Sequence, residues 1–319
     1  MPPAADRRLQ RLAEELDEVG LRPGGTLAFR ELLLEEIDRA LRPIVHERRV
    51  ASGGTIIEPS TDPATWSTGA QLDITRGPLD HQPLLDARRF ADGLSSWLVR
   101  RVDNTNEWMV FDRPAGSERD LVVLSSVLGA TIVQRHPTGL VRVVGTFGVV
   151  RWQGLTWHHE PPVAGWIDAV TARADHGDAK VLEAILEFAV HDLGSRGIGS
   201  LLIYRPDLDE GPPVEERLPT PPPLRILQAS HLAPLRHALA QIDGAAVFDV
   251  DGVLRRLGVR LVPSSAAEES VDAFGGTRHT SGRRYSYDDP TATVIAVSED
   301  GPVTVLRNGQ VLGRSQTGG

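Results

Sequence analysis

The chain has 319 residues, enough for two domains, and its 40% hydrophobic and 24% charged content is an ordinary globular balance. A net charge of −9 excludes a general electrostatic attraction to nucleic acid or anionic membrane, while leaving room for a local basic site. The absence of cysteine excludes disulfides, thiolate metal sites and a cysteine nucleophile, and accords with a cytoplasmic protein.

The N-terminus is charged and amphipathic and does not read as a signal peptide. No apolar run approaches the ~20 residues that span a bilayer, so a soluble protein is expected. Residues 6–19 place Leu9, Leu12 and Leu16 at helical spacing, ended by Gly20 and Pro23, and residues 27–41 repeat the pattern up to Pro43. Both helices are expected to face a core. Residues 50–83, rich in Gly, Pro, Thr, Ser and Asp, read as irregular connection, although so long a connection predicts some further structure within it. A helix is expected within 84–102. Strands are expected at 107–112, 121–128 and 140–151, the last bent at Gly145. Gln153-Gly154 reads as a turn.

All six Trp lie between Trp66 and Trp166. This asymmetry predicts two separately built units, at 1–170 and 177–319, with the boundary inside 162–180. Residues 178–193 form an amphipathic helix with Val181, Ile185, Phe188 and Ala189 on one face, closed by Gly194 and Gly197. A strand at 198–204, a proline-rich connection at 205–223 and a helix at 224–241 interrupted by Pro234 follow. A strand after Asp243 turns at Gly252 and returns over 254–262. Residues 263–275 read as a polar loop and 291–298 as a strand, and Asn308-Gly309 predicts a closing hairpin. Helices alternating with strands predict an α/β fold with a mixed sheet.

Three short polar elements of the second half carry chemistry. In Asp243-Gly244-Ala245 the carboxylate suits a divalent cation or a proton, and the glycine permits close backbone approach to a ligand. Gly276-Thr277-Arg278-His279 offers a hydroxyl, a planar fork of donors and an imidazole in succession, an anion cradle. The apolar run 294–297 closes in Ser298-Glu299-Asp300.

In this order and spacing, from about 177 to 313, the three elements resemble the diadenylate cyclase (DAC) domain, which makes cyclic di-AMP from two ATP. The resemblance implies a mixed central sheet with helices on both faces, a divalent metal (Mg²⁺ or Mn²⁺), ATP as substrate and at least a dimer for catalysis. It implies that Asp243 serves the metal and the 3′-hydroxyl, and that Thr277, Arg278 and His279 hold the triphosphate. Gly244, Ala245, Gly276, Thr280 and Ser298 belong to the same ATP-binding elements, Glu299 shares the metal, and Leu261 lines the base pocket. The chain departs from the pattern at Ile242, where the family has histidine, and at Thr280, where it has a third basic residue. Arg283 or Arg284, about one helical turn on, could return that charge. Two readings follow: an active cyclase, or a catalytically degenerate nucleotide-binding regulator. The first ~165 residues resemble, more loosely, the α/β sensor-type domains that precede some DAC domains, with a purely dimerising platform as the competing view.

Three other clusters invite chemistry. The run from Phe248 to Val253 imitates the first motif of haloacid-dehalogenase-type phosphatases, but no lysine follows it and it reads as a hairpin turn. Trp157-His158-His159-Glu160 suggests a metal site, yet neighbours on a strand face opposite ways; a loop end is expected there. Glu268-Glu269 reads as a solvated loop.

Overall fold

The computed structural model describes residues 4–47, 49–79, 83–171, 179–208, 211–300 and 302–315. It is α/β, with two compact units that divide after Pro162, each built on its own mixed sheet. Ala174 to Gly177, expected to break a helix at the boundary, lie outside the described residues.

The first unit opens with helices α1 (Ala4–Glu18) and α2 (Leu27–Leu41) and a two-stranded ribbon, β1 (Val45–His46) and β2 (Arg49–Val50). Then come β3 (Gly53–Ile57), α3 (Trp66–Ala70), β4 (Ile74–Pro78), α4 (Leu84–Ala87), β5 (Ser96–Arg100) and β6 (Glu107–Phe111). Helix α5 (Glu118–Leu128) precedes β7 (Thr131–Arg135), β8 (Val141–Gly145), β9 (Gly148–Trp152) and β10 (Trp157–Glu160). The sheet order is β10-β9-β8-β7-β3-β5-β6-β4, with β3 and β5 parallel and every other pair antiparallel. Successive residues go to opposite faces, as the pleat requires. Ile57, Val133, Val143 and Val150 meet Leu12, Leu16, Leu33 and Ile37 of the first two helices. Ile56, Ile132, Val144 and Val149 meet Trp66, Leu121, Leu124 and Leu128 of α3 and α5.

Four expectations change here. Residues 121–128 are helix, because Ser117 and Asp120 form a reciprocal capping box and Leu121, Leu124 and Leu128 fall on one helical face. The helix within 84–102 shrinks to α4, and Trp97, Leu98 and Val99 instead enter the middle of the sheet on β5. The connection at 50–83 contains β3, α3 and β4. The run 140–151 is a hairpin and not one bent strand: Gly145 pairs with Gly148, whose φ of +99° makes the turn.

The second unit begins with α6 (Ala164–Thr171) and α7 (Ala179–Glu187), the latter extended by a wide-wound turn at Phe188–Leu193 and a tight one at Gly194–Arg196. Val163, Trp166 and Ile167 belong to this unit because they pack into its core. Strands β11 (Ser200–Tyr204) and β12 (Val214–Glu215), α8 (Ala229–Leu239), β13 (Ala245–Phe248) and β14 (Leu254–Leu261) follow. The chain ends with α9 (Ser265–Ser270), α10 (Thr277–Asp288), β15 (Thr293–Val297), β16 (Val303–Arg307) and β17 (Gln310–Arg314). The expected loop at 263–275 thus holds α9, capped by the Ser264 hydroxyl.

The second sheet runs β12-β14-β13-β11-β15-β16-β17, with β11 and β13 parallel. Leu202, Phe248, Ile295 and Val305 face α7 and α8 on one side. Leu201, Val247, Val294 and Leu306 face Tyr285 of α10 on the other. Helix α10 lies tight on this face: a Cβ on Gly282 would sit 3.0 Å from Leu201 and Val294. Among the described residues no helix is long and apolar enough to cross a membrane.

Candidate functional site

At one edge of the second sheet the strand ends bring the three polar elements together. Asp243 precedes β13, Glu299 follows β15, and the N-terminus of α10 carries Thr277 and Arg278 between them. One guanidinium links the two carboxylates: Arg278 Nη1 donates to Glu299 Oε1 at 3.0 Å, and Nη2 lies 4.0 Å from Asp243 Oδ1. The arrangement is open, with the Asp243 side chain fully exposed and Glu299 72% exposed. An exposed pair of this kind contributes little to stability, so Arg278 can exchange a carboxylate for another anion at small cost.

The edge combines the starts of β11 and β13 with the end of β15, so it is not the carboxyl-end crevice usual in parallel sheets. What marks it is α10. Gly276 caps this helix without a side-chain hydrogen bond, and a Cβ there would meet nothing within 4 Å. Free N–H groups and the positive end of the helix dipole therefore face open space, where an anion is stabilised.

The cradle of three consecutive residues splits on the helix. Thr277 and Arg278 face outward, whereas His279 is buried, its ring edge-on to Phe274 at 6.1 Å. Burial, reinforced by the charges of Arg314 and Arg278 against the opposing pull of Asp300, lowers its pKa, so the imidazole is neutral near pH 7. Its buried Nε2 has no hydrogen-bond partner. Thr280 also turns inward: its hydroxyl accepts from Phe274 N at 3.1 Å and donates to the Phe274 carbonyl at 3.3 Å.

Neither Arg283 nor Arg284 returns the charge that Thr280 lacks. Arg283 donates to the Gly309 carbonyl at 2.7 Å, and Arg284 to the Val271 carbonyl at 3.3 Å. A different cation does lie at this edge. Arg314 pairs with Thr304, which pairs with Ala296, placing it at the site end of β17, where its charge acts on His279.

Gly244 has φ +109°, and a Cβ there would lie 2.7 Å from the Gly258 carbonyl carbon. Its glycine lets β13 and β14 close on each other, and Ile242 packs against Gly258 from the side. Ala245 and Leu261 are buried in the apolar layer behind the edge, and Ser298 donates its N–H to the Pro302 carbonyl at 2.9 Å. Gly199 has no place in the three motifs, yet it is needed: a Cβ there would fall 2.4 Å from Arg278 Nη1 and 2.7 Å from Glu299 Cγ. Only a glycine just before a strand could have signalled it.

Among the described residues no three His, Asp or Glu side chains converge as a metal nest. Asp243 and Glu299 nevertheless suit a hard divalent cation, which commonly takes one or two carboxylates and completes its shell with water and substrate phosphate.

The other clusters resolve as structure. Asp249 accepts from Asp251 N at 3.0 Å and Val253 N at 2.8 Å, and so ties the turn after β13. His158 and His159 lie on β10 and not at a loop end; His159 sits between the Val19 and Phe147 carbonyls at 3.1 and 2.8 Å. Glu268 and Glu269 lie on α9, exposed.

Comparison with known proteins agrees with this division. Residues 189–311 match the DAC family, described as "DisA bacterial checkpoint controller nucleotide-binding". Residues 10–160 match DACNK, described as "Probable sensor domain DACNK". The chain is thus a DACNK sensor domain followed by a DAC nucleotide-binding domain. No curated protein sequence matches it. Among solved structures it is similar to a hypothetical membrane spanning protein from Bacillus cereus, at 19% identity over 42% of this chain and 69% of that one, with a TM-score of 0.29.

Proposed function

We propose that the second domain is a diadenylate cyclase, a nucleotidyltransferase that condenses two ATP into cyclic di-AMP with release of two pyrophosphates, and that the first domain regulates it. The observation that carries this reading is the meeting of Asp243, Arg278 and Glu299 beside the open N-terminus of α10, inside the segment that matches the DAC family.

Two domains, each holding one ATP, face each other. The 3′-oxygen of each nucleotide bonds to the α-phosphorus of the other, the bond from that phosphorus to the bridging oxygen breaks, and pyrophosphate leaves. Asp243, exposed at the edge, takes up the 3′-hydroxyl proton. Arg278 leaves Glu299 for the triphosphate, and the N–H groups of α10 and the charge of Arg314 hold the same anion. Asp243 and Glu299 would hold a divalent cation, which when bound neutralises developing phosphate charge. His279, buried and neutral, serves as a support of the first helical turn and not as a cation.

A second reading has specific support. The two departures from the family pattern are absorbed into packing, Ile242 against Gly258 and Thr280 against Phe274, as in a domain that binds nucleotide without turning it over. One experiment separates them: ATP with Mg²⁺, Mn²⁺ or Co²⁺, product analysis by mass spectrometry, and Asp243→Asn in parallel. Cyclic di-AMP from the natural chain and none from the variant is the expected result. ATP binding without product under any of the three metals would leave the regulator.

A further inference from the structure

The first domain contains a cleft of about 710 Å³ between the end of α2, the start of β3, α4 and the end of β7. That size is typical of a small-molecule site. In a chain of net charge −9, five arginines line it, namely Arg39, Arg42, Arg88, Arg89 and Arg135, against a single carboxylate, Glu36. The charge of Glu36 is already used. It accepts from Arg88, from Arg100 at 2.7 Å and from the Thr55 hydroxyl at 2.9 Å.

The arginines themselves are incompletely matched. Arg42 lies 3.3 Å from Asp38, Arg89 only 3.6 Å from Asp86, and Arg135 donates to the Ala40 carbonyl at 3.0 Å. Arg39 makes no side-chain hydrogen bond or ion pair among the described residues, and the buried Nε of Arg88 has no acceptor. Burial lowers the pKa of Arg88, with Glu36 opposing and the charges of Arg39 and Arg100 adding to the shift; burial alone lowers that of Arg135. Arg88, 13% exposed with Glu36 and, at 3.7 Å, Glu35 as its carboxylates, is largely withdrawn from water, whereas Arg42 and Arg89 stay exposed at the mouth; a bound anion would add negative charge that this group of arginines lacks. Beside them the wall is apolar: Val133 is buried, while Ile44 and Leu85 are 58% and 47% exposed and wait for cover.

We propose that this cleft binds a small phosphate monoester carrying an apolar body, with the phosphate on Arg39, Arg88 and Arg89 and the body against Ile44, Leu85 and Val133. A phosphate suits the site better than a carboxylate, since it brings up to two charges and three acceptor oxygens to several forks at once. The signalling role of such a ligand rests on the sensor reading of this domain, but its binding is measured without turnover, so either can fail alone.

The test is calorimetric titration of the full chain with phenyl phosphate, with benzoate and benzyl alcohol as the carboxylate and uncharged counterparts. Saturable binding of phenyl phosphate is expected, weaker binding of benzoate, none of benzyl alcohol, and a decline with salt. Arg39→Ala with Arg89→Ala, both at solvent-accessible positions, is expected to weaken binding at least ~10-fold with an unchanged melting temperature. Leu85→Glu, which sets a carboxylate at the mouth, is expected to do the same. Absence of saturable binding, equal binding of benzyl alcohol, or a loss produced by Arg278→Ala and not by the arginine pair would overturn the proposal.

Discussion

Arg278 stands between the carboxylates of Asp243 and Glu299, and what keeps it there is a missing methyl group. Adding one at Gly199 puts a carbon 2.4 Å from Nη1, and the guanidinium, being the flexible partner, gives way. Gly199→Ala is therefore expected to leave the melting temperature nearly unchanged and to lower kcat/KM for ATP by about 10- to 100-fold, the loss of one charge-assisted contact. Thr280 predicts the opposite pattern. Its hydroxyl closes the Phe274 turn, so Thr280→Val costs about 1 kcal/mol in thermal unfolding while turnover stays within about twofold. Equal loss of turnover in both variants would mean that Thr280 does touch the phosphates. Asp243, Arg278 and Glu299 were legible in sequence because they fall in three ordered motifs. Gly199 and Arg314 were not, because a glycine before one strand and an arginine ending another carry no local pattern; only strand register brings them to the site.

Between elements, the first domain joins α5 to its sheet through buried charge. Glu118 of α5 accepts from Arg151 of β9 at 2.6 and 2.5 Å, and Glu160 of β10 lies 3.8 Å from the same guanidinium. With Arg151 committed to Glu118, burial pushes the Glu160 pKa up to about 7, Arg151 opposing the shift and Glu118 adding to it. A carboxyl whose folded pKa is raised binds its proton more tightly folded than unfolded. Stability is thus greatest below the unfolded value and declines as pH rises from about 4.5 to about 7. Glu160→Gln is expected to melt with the natural chain at about pH 4, below the unfolded pKa, and to be more stable at pH 8, by on the order of 1–3 kcal/mol. A variant less stable at pH 8 would show that the charged form is the one this fold favours. The same junction explains why residues 121–128 form a helix and not the expected strand. Residues 121–128 are rich in leucine and valine, which both structures accept; the capping box and the sheet surface waiting for Leu121, Leu124 and Leu128 decide for helix. Helices α1, α2 and α7 were legible because their apolar periodicity needs no partner to be recognised, whereas β3, α3 and β4 are each five residues long, too short for a period to declare itself.

For the whole molecule, the openness of the edge has a kinetic consequence. Asp243, Arg278 and Glu299 are exposed, and in the proposed reaction those of one domain would serve one ATP while a second copy holds the other. Specific activity is then expected to rise with protein concentration and to level off once the dimer is saturated. Mixing with an excess of Asp243→Asn sharpens the point. In a mixed dimer the nucleotide on the natural copy still has a partner for its 3′-hydroxyl, while the nucleotide on the variant does not. One bond forms, one pyrophosphate leaves, and the ring does not close. Mass spectrometry should therefore find cyclic di-AMP falling and a linear, triphosphate-bearing dinucleotide appearing as the variant is added. Specific activity independent of concentration down to nanomolar protein, with no linear product in the mixture, would mean that a single copy completes both bonds and that Asp243 is not confined to the nucleotide of its own domain.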